Sequence, residues 1–140
     1  MADITVTAAQ VAVVNETEAM MRTGIVASGS TITKGQAIAI NTSGYIVLAD
    51  ASSGQANGCR GIALTGAGAG EPITYLMSGS VYGFTLSGAD FGDAIYLSNT
   101  AGALDDATGG DVAVAVGRVF PVHDGSTPSK VLFVNILGLM

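Results

Sequence analysis

The chain has 140 residues, of which 49% are hydrophobic and 11% charged, and its five Lys and Arg against eleven Asp and Glu give a net charge of −6. That length suits one domain, and the scattered cations (Arg22, Lys34, Arg60, Arg118 and Lys130) do not form the clustered basic surface that a phosphate backbone requires, which argues against nucleic acid as a partner. A folded chain of this mass has about 6,700 Å² of surface, so its charges are spread at roughly half the usual density, which points either to a surface clothed in Ser, Thr, Asn and Gly or, the favoured reading, to surface covered by other subunits.

In chain order, residues 1–23 stand apart from the rest. Ile4, Val6, Val11, Val13 and Val14 are apolar, polar residues interrupt them, and glycine is absent before Gly24. The segment reads equally as an edge strand of the chain's own sheet, a short helix through 8–21, or an extended arm lying on a partner. No cation precedes Arg22, so the basic start of a signal peptide is missing. No apolar run reaches the 18 residues of a membrane-spanning helix.

From residue 24 onward, short alternating runs are bounded by Gly, Asn, Ser and Asp. They predict strands at 24–27, 36–40, 45–49, 59–64, 73–77, 81–85, 93–97, 112–119 and 130–136, with turns at NTSG, NTAG and HDGS between them. Many short strands without a crossover helix predict an all-β domain over 24–140, a small barrel or sandwich. There is also an internal echo. GQAIAINTSGYIVLADA from Gly35 resembles GDAIYLSNTAGALDDA from Gly92 at an offset of 57, RGIAL is echoed by VGRVF, and PITYLMSG by KVLFVNIL. Two such halves, each a hairpin, a loop and a second hairpin, could close one barrel.

Residues 61–72, GIALTGAGAGEP, raise the question of a phosphate-cradling loop. The dinucleotide fingerprint needs G-x-G-x-x-G opening a helix. Here the spacing is G-x-G-x-G, Glu71 and Pro72 follow, and ITYLMSG alternates like a strand, so the loop is read as a connection between strands. No Walker motif is present. His123 is the single histidine, in a turn-rich stretch where a solvated side chain is the expected state, and its neighbours Asp124 and Ser126 do not make a triad by adjacency. The one cysteine, Cys59, excludes an internal disulfide and reads as a buried inert thiol. Asp105 and Asp106, with Asp111 beyond, lack the spacing of a calcium loop, and a solvated acidic turn is expected. The chain is therefore read as having no catalytic residues, cofactor or metal site.

Taken in order, ADITVTAAQV, then TKGQAIAINTSGYIVLADASSGQANGCRGIALTGAGAGEPITYLMSG, resembles the tailed-bacteriophage capsid cement (head decoration) proteins. The matching positions are 35–40, 44–51, 61–64, 66–70 and 72–79, and the part from Gly92 matches more loosely. What the resemblance implies is a small β-barrel or β-tulip, a homotrimer on the outer surface of an assembled capsid, made in the host cytoplasm. Its partner would be the major capsid protein, and an N-terminal arm would cross to a neighbour. No catalytic motif comes with it. The segment VNETEAMMRTGIVASG is longer and more polar than the family's N-terminal segment. Val11, Val13, Val14, Met20 and Met21 are the candidate intersubunit or capsid contacts, and removal of residues 2–21 is expected to abolish binding while the β fold survives. A minor tail, fibre or baseplate component and a carbohydrate-binding module are the alternatives. The second would need aromatics on an exposed platform, whereas Tyr45, Tyr75, Tyr82 and Tyr96 fall inside predicted strands.

Overall fold

The computed structural model describes residues 3–51, 59–107, 114–123 and 125–136. Among these residues nine strands form one antiparallel sheet: β1 (Met20–Ile25), β2 (Ala37–Ile40), β3 (Ile46–Leu48), β4 (Gly61–Ala63), β5 (Pro72–Val81), β6 (Ala94–Leu97), β7 (Leu104–Asp105), β8 (Ala115–Val122) and β9 (Ser129–Asn135). The only helical pieces among the described residues are 3-10 turns at Ala8–Gln10 and Glu16–Glu18. The expected all-β class is what the chain adopts, as a sheet curled into a half-barrel.

The strand order is β3-β2-β4-β5-β9-β8-β6-β7, with β1 added on β5. That order explains the sequence echo. Adding 57 carries β2 (37–40) onto β6 (94–97), and the hairpin β2–β3 onto β6–β7, and each set of four strands runs outward from the central β5–β9 pair. The turns before β2 and β6 repeat bond for bond. Thr33 N–H donates to Gln36 Oε1 (2.8 Å) as Asp90 N–H does to Asp93 Oδ2 (2.9 Å), and Gly35 and Gly92 both adopt φ +88°. Ser78 and Asn135, also 57 apart, face each other where β5 meets β9, so a local two-fold passes between them. The third echo is set one residue differently from the sequence reading. The ladders align Gly61 with Gly117, an offset of 56, and Tyr75 with Leu132, an offset of 57, where pairing PITYLMSG with KVLFVNIL makes it 58.

Glycine lets neighbouring strands within each half approach closely. A Cβ on Gly61 would stand 2.6 Å from the Leu76 carbonyl oxygen, and one on the corresponding Gly117 only 2.0 Å from that of Phe133. The halves are then tied at their far ends: Ala37 N–H donates to Gly102 O, Gly102 N–H to Ala49 O and Ala51 N–H to Ser98 O, at 2.8, 2.7 and 3.0 Å. Ile62, Leu76, Val81, Ile95, Leu97, Val119, Leu132 and Val134 fill the main core. A second, smaller core of Val26, Ile32, Ile38, Ile46, Ala63, Ile73, Tyr75 and Met77 covers the other face of the first half.

β5 serves both cores by changing faces. Ile73, Tyr75 and Met77 point into the smaller core and Leu76 into the main one, but past Gly79 the odd-numbered Val81 enters the main core. A one-residue irregularity in a strand exchanges its two faces. Here Met77 is skipped in the pairing with β1, and Gly79 takes φ +140°, a conformation that side chains resist.

Two expectations change, and one open choice is narrowed. The boundary between 23 and 24 falls inside β1. Residues 81–85 do not form a strand of their own, since Val81 ends β5 and Phe84 makes only a single bridge to Val6. Of the three readings of the N-terminus, the chain follows the edge strand: Asp3, Val6 and Val13 bridge Asp105, Phe84 and Val81, and β1 pairs with β5.

Candidate functional site

The glycine loop is consumed by its own fold. Gly68 N–H donates to Glu71 Oε1 at 2.7 Å, Glu71 N–H returns to Gly68 O, and Gly70 N–H goes to Val26 O. Ala67 exchanges both backbone bonds with Ile32. These amides close a turn between β4 and β5 and do not converge on a vacant anion site.

The other chemistry-bearing residues are equally dispersed. His123 and Ser126 are exposed in the β8–β9 turn, and Asp124 lies outside the described residues. Cys59 is buried, its thiol donates to Gly61 O at 3.5 Å, and burial pushes its pKa up to about 12. A thiol so placed is a poor nucleophile. Asp105 is buried on β7 with Oδ1 unpartnered, while Asp106 lies over Gly88. Asp111 is outside the described residues, and no group of three metal-ligating side chains gathers among those described.

The five candidate contact residues separate. Val11 is 5% exposed and packs in the chain's own main core, as does Ile4. Val13 and Val14 are half-buried, with Val14 N–H donating to Ser80 O at 2.9 Å. Met20 and Met21, in contrast, are 47% and 39% exposed. Removing residues 2–21 would therefore take core side chains away together with the surface ones, and the fold would not be left intact as expected from sequence.

Met20 and Met21 begin a strand with unusual character. None of the six residues of β1 is buried, and Ile25 at its other end is 40% exposed. Among the described residues β1 has one ladder partner, β5, so its other edge carries backbone donors and acceptors without a strand beside it. Proteins usually blunt such an edge with charge, proline or brevity. Here the only charged side chain is Arg22. An added strand would gain backbone hydrogen bonds worth about 1 kcal/mol each net. Covering the remaining exposed parts of Met20, Met21 and Ile25 adds roughly 0.6–1.2 kcal/mol apiece.

Two further surface features escape sequence reading. Phe120 and Phe133 stack at 4.7 Å on the outer face of β8 and β9, with Phe120 40% exposed. Tyr45 precedes β3 instead of lying in it and is 47% exposed beside Ser28, Asn41 and Ser43, at the rim of an open depression of about 550 Å³. No turn signal distinguishes Tyr45 from the strand that follows. Its position is set by Asn41, whose Oδ1 accepts from both Ser43 N–H and Tyr45 N–H at 3.0 Å.

Comparison with known protein families, with curated proteins and with solved structures returned no match to this chain.

Proposed function

We propose that this chain is a non-catalytic virion protein that binds the outside of a tailed-bacteriophage capsid and stabilises the head. In this reading it acts as a homotrimer against the major capsid protein. The observation that carries the reading is β1, a strand with no buried residue, one edge without a strand beside it among the described residues, and three exposed large apolar side chains. The ordered resemblance of 35–79 to the cement proteins supplies the class of surface it meets. A cement needs area and repetition more than chemistry. Each β1 contact is worth only a few kcal/mol, and a trimer on a symmetric lattice multiplies it through effective concentration.

The test is co-sedimentation with heads lacking the protein. The wild-type chain is expected to pellet with them, and Met20→Glu with Met21→Glu to remain in the supernatant while keeping its circular dichroism spectrum. Undiminished binding by the double variant would remove β1 from the contact. Tyr45 and its polar depression favour a second reading, a carbohydrate-binding surface. Heat released on titration with oligosaccharides, and lost in Tyr45→Ala, would support it over the first.

A further inference from the structure

Arg22, Ile40, Arg60, Tyr75 and Met77 line a cleft of about 350 Å³ between β1, β2, β4 and β5. Two of the chain's five cations thus meet in one place, although they are 38 positions apart in sequence. Arg60 is half-buried, and its Nη1 donates to the Cys59 carbonyl at 3.3 Å. Arg22 is exposed, and its guanidinium makes no hydrogen bond or ion pair among the described residues. Eleven carboxylates are present in the chain, yet neither guanidinium has one as a partner among those described.

Two like charges in one cleft repel, and a carboxylate set between them converts that repulsion into two attractions. The planar fork of arginine is shaped for such a group. The cleft walls are apolar: Tyr75 and Met77 are 5% and 4% exposed, and Ile40 is 43% exposed with nothing over it. A ligand that satisfies both features carries a carboxylate next to an aliphatic group. A nucleic acid strand is disfavoured, because two cations on a chain of net charge −6 cannot neutralise a run of phosphates. A small free anion would leave Ile40 uncovered. We infer that the Arg22–Arg60 cleft docks an acidic segment of a partner polypeptide, a glutamate or aspartate followed by an aliphatic residue. The site goes beyond the capsid reading, since it specifies the chemistry of the segment received beside β1.

The experiment is a titration of the full chain with the peptide acetyl-Glu-Leu-Glu-amide at constant ionic strength. Nuclear magnetic resonance would follow the Arg22 and Arg60 Nε–H signals and the Ile40 and Met77 methyls. Saturable shifts at both arginines and both methyls are expected, with Kd raised about tenfold in Arg22→Gln, the usual effect of losing a charged hydrogen bond. Arg22 is exposed, so that variant keeps the fold; Arg60→Gln provides the second arm. Absence of saturable shifts, or equal shifts with acetyl-Gln-Leu-Gln-amide, would overturn the proposal. So would inorganic phosphate producing the same shifts at lower concentration. No capsid is used, so failure here leaves the β1 reading standing, and failure of that reading leaves this one.

Discussion

Replacing Gly117 by alanine probes the closest packing in the sheet. The new Cβ would sit 2.0 Å from the Phe133 carbonyl oxygen, where real Cβ contacts stop near 3.0 Å, so β8 and β9 must part by about 1 Å (3.0 − 2.0). Gly117 is laddered to Val134 on one side and Ile95 on the other, so the displacement cannot be relieved at a free edge. An N–H···O bond lengthened by 1 Å is lost. Two lost ladder bonds at about 1 kcal/mol each, with overpacking of about 1–3 kcal/mol, are offset by at most about 1 kcal/mol from the stiffer unfolded chain. The net loss is about 2–5 kcal/mol from a total near 7–15, so the variant folds but melts roughly 10 °C lower. Urea unfolding followed by circular dichroism gives the number directly. Gly125→Ala is the control, because its Cβ meets nothing within 4 Å, and it should fall within about 0.5 kcal/mol of wild type. A Gly117→Ala protein as stable as that control would refute the close β8–β9 approach.

Leu132→Ala, at a fully buried main-core position, should cost about 2–5 kcal/mol in the same assay. Cys59 should resist a thiol reagent at pH 8 until the chain is unfolded by urea. Its linkage has a defined sign. The unfolded thiol loses its proton above pH 9.0 and the folded one only near 12, so the folded state holds more protons in that window and stability falls as pH rises, with a slope approaching 1.36 kcal/mol per unit. Cys59→Ala should remove that component, and an unchanged slope would place the titration elsewhere. Met20→Glu and Met21→Glu should each shift stability by less than about 0.5 kcal/mol, since both side chains are exposed in the free chain.

The all-β class, β2 and β6 were legible because Gly-x-Ala-Ile repeats at a fixed offset and the alternation beyond it is sharp. β1 was not, because MMRTGI buries no side chain and so carries no alternation to read. The predicted strands break at MSGSV because Ser-Gly-Ser is turn chemistry. In the fold Gly79 is an irregularity inside β5 that exchanges its faces. β7, two residues long, is too short to announce itself. Of the contact residues, Met20 and Met21 lie at the surface and Val11 does not, since apolarity alone does not separate a side chain for the core from one for a partner. The Arg22–Arg60 cleft was invisible in one dimension, because it exists only once β1 and β4 are both laid on β5.

The central claim, a head-decorating role, is tested most directly by the copy number of this chain relative to the major capsid protein in purified virions, measured by quantitative mass spectrometry. The account predicts a ratio near one-to-one or another lattice-defined fraction of the capsid subunits. A handful of copies per particle would assign the chain to the tail or a vertex, and its absence from virions would contradict the account altogether.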